Sequence, residues 1–227
     1  MLNEQAIRNK IVTICRWMHE RGYIASTDGN VSVRLSTDLL LMTPSGVNKG
    51  HLTPDQILVT DLEGKKITGE KEPSSEILMH LKVYALREDV QAIIHAHPPI
   101  STAFSVAGKS LSIPALTEVV LTLGEIPTAP YATPSTDEVP KSIASLIESH
   151  DALILERHGS LTVGSNLSEA YNNLERIEHA AEILFYASQL GGIRPLPEDE
   201  IRRLQNLGKN KKKKSVEKLR QPLGKED

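Results

Sequence analysis

Two hydrophobic periodicities alternate along this chain, and their alternation limits the possible folds more than any other feature. Apolar residues three and four apart line one stripe of a helix, whereas strict alternation buries one face of a strand. Helical spacing runs over 3–21 through Ile7, Ile11, Ile14, Cys15 and Met18, and resumes after Pro73-Ser74-Ser75-Glu76 with Ile77, Leu81 and Tyr84. It returns over 100–107, from Thr136 to about residue 149, and over 167–190, where Leu167, Ala170, Tyr171, Leu174, Ile177, Ala181, Leu184, Phe185 and Ser188 mark one side. Strand patterns fall at 31–35, at 39–43 as a hairpin partner, and at 57–62, 91–97, 152–157 and 160–163. Residues 118–123 suit either state. Helices interleaved with short strands predict an α/β fold of three layers, with helices on both sides of one sheet.

The 227 residues include a single cysteine, Cys15, which excludes an intramolecular disulfide framework and points to a reducing compartment. No apolar run reaches the roughly 20 residues of a membrane helix. The opening Met1-Leu2-Asn3-Glu4 has no basic and apolar leader pattern, so a cytoplasmic location is expected. The formal charge of −3 is uneven: residues 209–227 carry +5 and residues 1–208 carry −8. An acidic body argues against nucleic acid as a partner. Residues 1–208 are expected to form the folded domain, and 209–227, with Lys211 to Lys214, a basic disordered tail.

The chemistry concentrates at strand ends. In His95-Ala96-His97 the two imidazoles point to one face of an apolar strand and can reach one ion, and Pro98-Pro99 ends that strand as an exposed lip. Glu76 opens a helix, and His158 ends another buried strand in Arg157-His158-Gly159. Together they offer one carboxylate and three imidazoles, although spacing alone does not bring Glu76 or His158 to the pair. Gly29 and Asn30, Ser45 and Gly46, and Ser74 and Ser75 form three short segments suited to an anion. Ordinary turn and cap usage is the competing reading for each segment. His19, His51, His80, His150 and His179 match no motif and read as structural or surface residues.

In order, Asp28-Gly29-Asn30-Val31-Ser32-Val33-Arg34, Thr43-Pro44-Ser45-Gly46, Pro73-Ser74-Ser75-Glu76, His95-Ala96-His97, Ala129-Pro130-Tyr131 and His158-Gly159 resemble the class II aldolase/adducin family over about residues 5–190. The resemblance implies a three-layer αβα sandwich with a central mixed or antiparallel sheet. It implies zinc, or another divalent metal, held by His95, His97 and His158, with Glu76 as a displaceable fourth ligand that doubles as acid/base. It implies a substrate phosphate on Gly29, Asn30, Ser45, Gly46, Ser74 and Ser75, in a homotetramer with sites at subunit boundaries.

The implied activity is retro-aldol cleavage of a small ketose 1-phosphate to dihydroxyacetone phosphate and an aldehyde, with zinc stabilising the enediolate left when the C–C bond breaks. One departure stands out. Fuculose-type members carry a His-Tyr pair, with the tyrosine serving the neighbouring subunit, where this chain reads Leu116-Thr117-Glu118. A glutamate there is more similar to the methylthioribulose-phosphate dehydratase branch, or to the branch decarboxylating 3-oxo-tetronate phosphates, and makes Glu118 a second candidate acid/base. Adducin itself implies a further alternative, a binding module without catalysis.

Overall fold

A computed structural model describes residues 4–208. In chain order it contains α1 (Glu4–Glu20), β1 (Asn30–Arg34), β2 (Leu39–Met42), β3 (Leu58–Asp61), β4 (Lys66–Thr68), α2 (Ile77–Leu86) and β5 (Ala92–Ala96). Then come α3 (Pro99–Val106), α4 (Thr117–Thr122), β6 (Thr128–Ala129), α5 (Glu138–Ile147), β7 (Ala152–Leu155), β8 (Gly159–Gly164) and α6 (Leu167–Gln189). A last helix, α7, spans 198–208. The eight strands make one sheet in the order β4-β3-β2-β1-β5-β8-β7-β6. Every neighbouring pair is antiparallel except β6 with β7, so the sheet is mixed.

Alternation along the strands sorts the core into two faces. Val31 and Val33 of β1, Leu41 of β2 and Ile94 of β5 pack with Ile11, Ile14 and Met18 of α1 and Leu174 of α6. Leu40, Ile93, Leu153 and Leu161 turn the other way, against Met79 and Val83 of α2 and Ile143 and Ile147 of α5. On the α6 side, Ala152 and Ile154 of β7 meet Val119 of α4 and Leu123, its C-cap, with Ile177 and Leu184 of α6. Each fully buried leucine or isoleucine here is worth about 1.5–3 kcal/mol over its exposed state. The three layers expected from the sequence are therefore present.

Several boundaries differ, each for a local reason. The first turn of α2 begins one residue after Glu76, which is its N-cap rather than a helical residue. Asp137, not Thr136, caps α5, although the Thr136 hydroxyl accepts a bond from the Glu138 amide at 3.2 Å. The ambiguous 118–123 segment is helical. Strand β4 was not expected, because Ile67 is half exposed and its neighbours are polar, which leaves no buried alternation to read. Helix α7 was missed for a similar reason, since Leu204 is its one buried apolar side chain. The stripe of α6 ends at Leu184, and Phe185 is 43% exposed. Among the described residues no helix is long and apolar enough to cross a membrane. The basic segment 209–227 lies outside the described residues.

Candidate metal centre

His95 enters the site from the last turn of register in β5, on the face that looks toward α2. Its Nδ1 lies 2.9 Å from the Ser160 carbonyl oxygen, an atom that can only accept, so Nδ1 carries the ring proton. Nε2 faces His97 Nε2 at 2.9 Å and Glu76 Oε2 at 3.2 Å, and although burial lowers the imidazole, Glu76 beside it outweighs this and raises it above the ordinary value. His97 sits one residue past the strand, fixed by its backbone N–H donating to the Tyr23 carbonyl and by Asp28 Oδ2 at 3.6 Å from Nδ1.

His158 occupies the three-residue loop between paired Leu155 and Gly159. The residue before it, Arg157, has φ +57°, and its amide is held by the Ser105 hydroxyl of α3 at 3.0 Å. A non-glycine residue in the left-handed region persists only where its surroundings fix it, and here the strained turn aims the imidazole inward. His158 Nε2 lies 3.2 Å from Glu76 Oε1. The three rings form a nearly equilateral set, with centroids 4.7–5.0 Å apart.

Two glycines permit this convergence. Gly29 has φ +70°, and a Cβ there would stand 2.9 Å from the His95 carbonyl oxygen and 2.6 Å from Ile24 Cγ2. A Cβ on Gly159 would collide with the Ala96 carbonyl and the His97 ring.

The donor set fits a tetrahedral divalent ion of the zinc type: the nitrogens of three imidazoles within 4.8 Å of one another, with the Glu76 carboxylate oxygens 3.2 Å from two of them. The two Nε2 atoms of His95 and His97, 2.9 Å apart, are close enough to share either one proton, with His97 donating to His95, or one cation. Glu76 Oε1 is buried, and His158 Nε2 lies 3.2 Å from it, outside hydrogen-bond geometry. Burial pushes the Glu76 carboxyl up, but His95 and His158 overcome this and hold it below the usual carboxylate range. Burial, with His95 and His158 beside it, pushes the His97 imidazole down to about 3. Both groups are thus ready to ligate without first losing a proton.

The proposed anion segments adjoin this cluster. Asn30 pairs with His95 across β1 and β5. The loop bearing Ser45 and Gly46 is laced to the loop bearing Ser74 and Ser75 by a Pro44–Pro73 bridge and by the Ser45 amide donating to the Glu72 carbonyl. Gly46, at φ +67°, faces open space. The Ser75 hydroxyl is exposed and meets the Ser135 hydroxyl at 3.0 Å. Asn30 differs from its expected role, because its amide Nδ2 donates to Glu76 and its Oδ1 is bound by His80.

Glu118 lies apart, exposed in the first turn of α4 on the α6 side of the sheet, and among the described residues it shares no hydrogen bond or ion pair with the cluster. His80, read from the sequence as structural or surface, is fully buried and joined to the cluster through Asn30. Its spacing, four residues after Glu76, was the available signal.

Residues 9–185 match the family described as Class II Aldolase and Adducin N-terminal domain. An L-fuculose phosphate aldolase of Methanococcus maripaludis is 33% identical over 181 residues, covering 80% of this chain and 97% of that protein. A 3-oxo-tetronate 4-phosphate decarboxylase of Escherichia coli K12 is 32% identical over 186 residues, covering 80% and 87%. Among solved structures, YgbL of Klebsiella pneumoniae superposes with a TM-score of 0.84 at 34% identity, covering 90% of this chain and all of that one.

Proposed function

The chain belongs to the class II aldolase and adducin family, and from that premise we propose that it is a zinc-dependent aldolase cleaving a small ketose 1-phosphate to dihydroxyacetone phosphate and an aldehyde. The observation that carries this reading is the convergence of Glu76, His95, His97 and His158 from three separate parts of the chain. When bound, zinc polarises the substrate carbonyl and stabilises the negative charge that develops there.

The protein's own groups supply the rest. His95, oriented by Ser160, and His97, oriented by Asp28, would hold the ion with His158. The Glu76 carboxylate, set among His95 and His158, would take or return a proton at the reacting carbon. The exposed Ser75 hydroxyl, Ser74, and the turn at Ser45 and Gly46 would receive the phosphate, and Gly29 lets the backbone come close. Asn30 contributes to that subsite through its one remaining amide N–H. Glu118 would act at a neighbouring subunit's site within a homotetramer, since it is exposed and remote from its own cluster.

A second reading keeps the same metal site but makes the enzyme a decarboxylase or dehydratase of a related sugar-acid or methylthioribulose phosphate. It is favoured by Glu118 standing where fuculose-type members place tyrosine, and by the 32% identity to the decarboxylase. A purely adducin-like scaffold is disfavoured, because it has no use for a complete set of ligands. Incubation of the zinc-loaded protein with fuculose 1-phosphate, trapping the aldehyde, tests the first reading. Carbon dioxide from a 3-oxo-tetronate 4-phosphate with no aldehyde from the ketose phosphate would replace it with the second. Protein that takes up no divalent metal would favour the scaffold.

A further inference from the structure

Asn30, Ser32 and Arg34 occupy alternate positions of β1 and share one face of it. Glu76, His80 and Tyr84 are four residues apart and share one face of the segment that leads into and along α2. The two stripes meet as a buried polar seam in which Asn30, Ser32, His80 and Tyr84 are each at most 3% exposed.

Its hydrogen bonds have one consistent direction. The Glu76 carboxylate only accepts, so Asn30 Nδ2 donates to it at 2.9 Å. Asn30 Oδ1 must then accept, and His80 Nε2–H donates to it at 2.5 Å. The other ring nitrogen of a neutral His80, Nδ1, accepts from the Ser32 hydroxyl at 2.6 Å, and Ser32 Oγ accepts from the Tyr84 hydroxyl at 2.9 Å. Arg34 closes the seam with its guanidinium 4.6 Å over the Tyr84 ring and Nη2 donating to the Tyr84 carbonyl at 2.8 Å. The chain is satisfied at every link, and it fixes a single amide orientation and a single imidazole tautomer.

We propose that His80 is a positioning residue, which through the Asn30 amide holds the Glu76 carboxylate at the angle that turns it to the metal and the substrate. The seam reaches Oε2 through Asn30, and both carboxylate oxygens face the imidazoles, Oε2 at 3.2 Å from His95 Nε2 and Oε1 at 3.2 Å from His158 Nε2. The amide thus fixes the rotation that points both oxygens into the cluster. The kinetic part of this assignment rests on the aldolase reading above, and the metal-binding part does not.

The test uses purified full-length protein and two measurements: zinc affinity by competition with a chelator, and solvent deuterium exchange into dihydroxyacetone phosphate at saturating zinc. His80→Phe is expected to weaken zinc binding about 10–100-fold and to slow exchange and kcat over a similar range, with KM changed less than about twofold. In a Glu76→Ala background the same change is expected to cost less than about a further twofold in zinc affinity, because the group it orients is gone. Tyr84→Phe and Ser32→Ala should show the same pattern in weaker form, and they carry the test if His80→Phe does not fold.

Unchanged zinc affinity in His80→Phe, or an equal additional loss in the Glu76→Ala background, would overturn the proposal, since both are what a merely structural histidine gives. Wild-type protein that neither exchanges nor cleaves, yet shows the zinc coupling, would overturn the aldolase reading and leave the positioning role standing.

Discussion

The two sides of β1 are buried equally and built oppositely. Val31 and Val33 enter the aliphatic cluster beneath α1 and α6, while Asn30 and Ser32, interleaved with them, enter the hydrogen-bonded seam against α2. Apolar contact is non-directional, so the valine side contributes stability and tolerates small changes of shape. Hydrogen bonds are directional, and a buried group left without its partner costs about 1–3 kcal/mol. One strand thus separates cohesion from aim, with the aimed side leading to the candidate metal ligands.

The strongest challenge to that division lies at the aimed side's end. His95→Ala should bring bound zinc and activity to background while leaving a folded protein, measured by elemental analysis and circular dichroism; zinc at full occupancy would remove His95 from the ligand set. Next comes a direct comparison along β1. Val31→Ala should lower unfolding free energy by about 2 kcal/mol with kcat nearly unchanged, whereas Ser32→Ala should lower kcat by more than its loss of stability explains. Equal effects on both measurements in both variants would erase the distinction between the faces.

Acid sharpens it further. Burial, with His95 adjacent, pushes His80 down to about 3, below the ordinary 6.5 it regains on unfolding. The unfolded chain therefore binds a proton that the folded chain refuses. Stability from this group is complete above about pH 6.5 and falls by about 1.4 kcal/mol per pH unit toward pH 3. Denaturant titrations of His80→Phe should show that slope reduced, and an identical slope would exclude His80 as its source. The smallest effect is expected at the rim, where Ser75→Ala should raise KM for a phosphorylated substrate several-fold, worth about 1 kcal/mol, with kcat held. A kcat loss at constant KM would move Ser75 out of the phosphate subsite.

Much of this was legible in the sequence, and the exceptions share a cause. His95 and His97 could be placed because two residues apart on a strand is a local rule, and α1 and α6 announced themselves by their stripes. Glu76 and His158 could be proposed only through resemblance, since nothing local states that a helix N-cap and a hairpin loop meet. His80 was passed over because a polar residue every fourth position usually marks a helix's wet face. Its burial depends on the register of α2 against β1, which neither segment contains alone. Strand β4 and helix α7 bury too little to leave a pattern, and Glu118 projects from an exposed turn away from the cluster.

The amide of Asn30 in the middle of the seam has a consequence for proton traffic. A carboxamide can orient its neighbours but does not pass protons along, and Ser160 closes the rear of His95 with a carbonyl just as inert. Glu76 is therefore insulated from the interior. If Glu76 abstracts a hydrogen as proposed, the seam gives it no route inward, and isotope taken from a bound molecule should be returned to that molecule whenever reprotonation outruns exchange with bulk water.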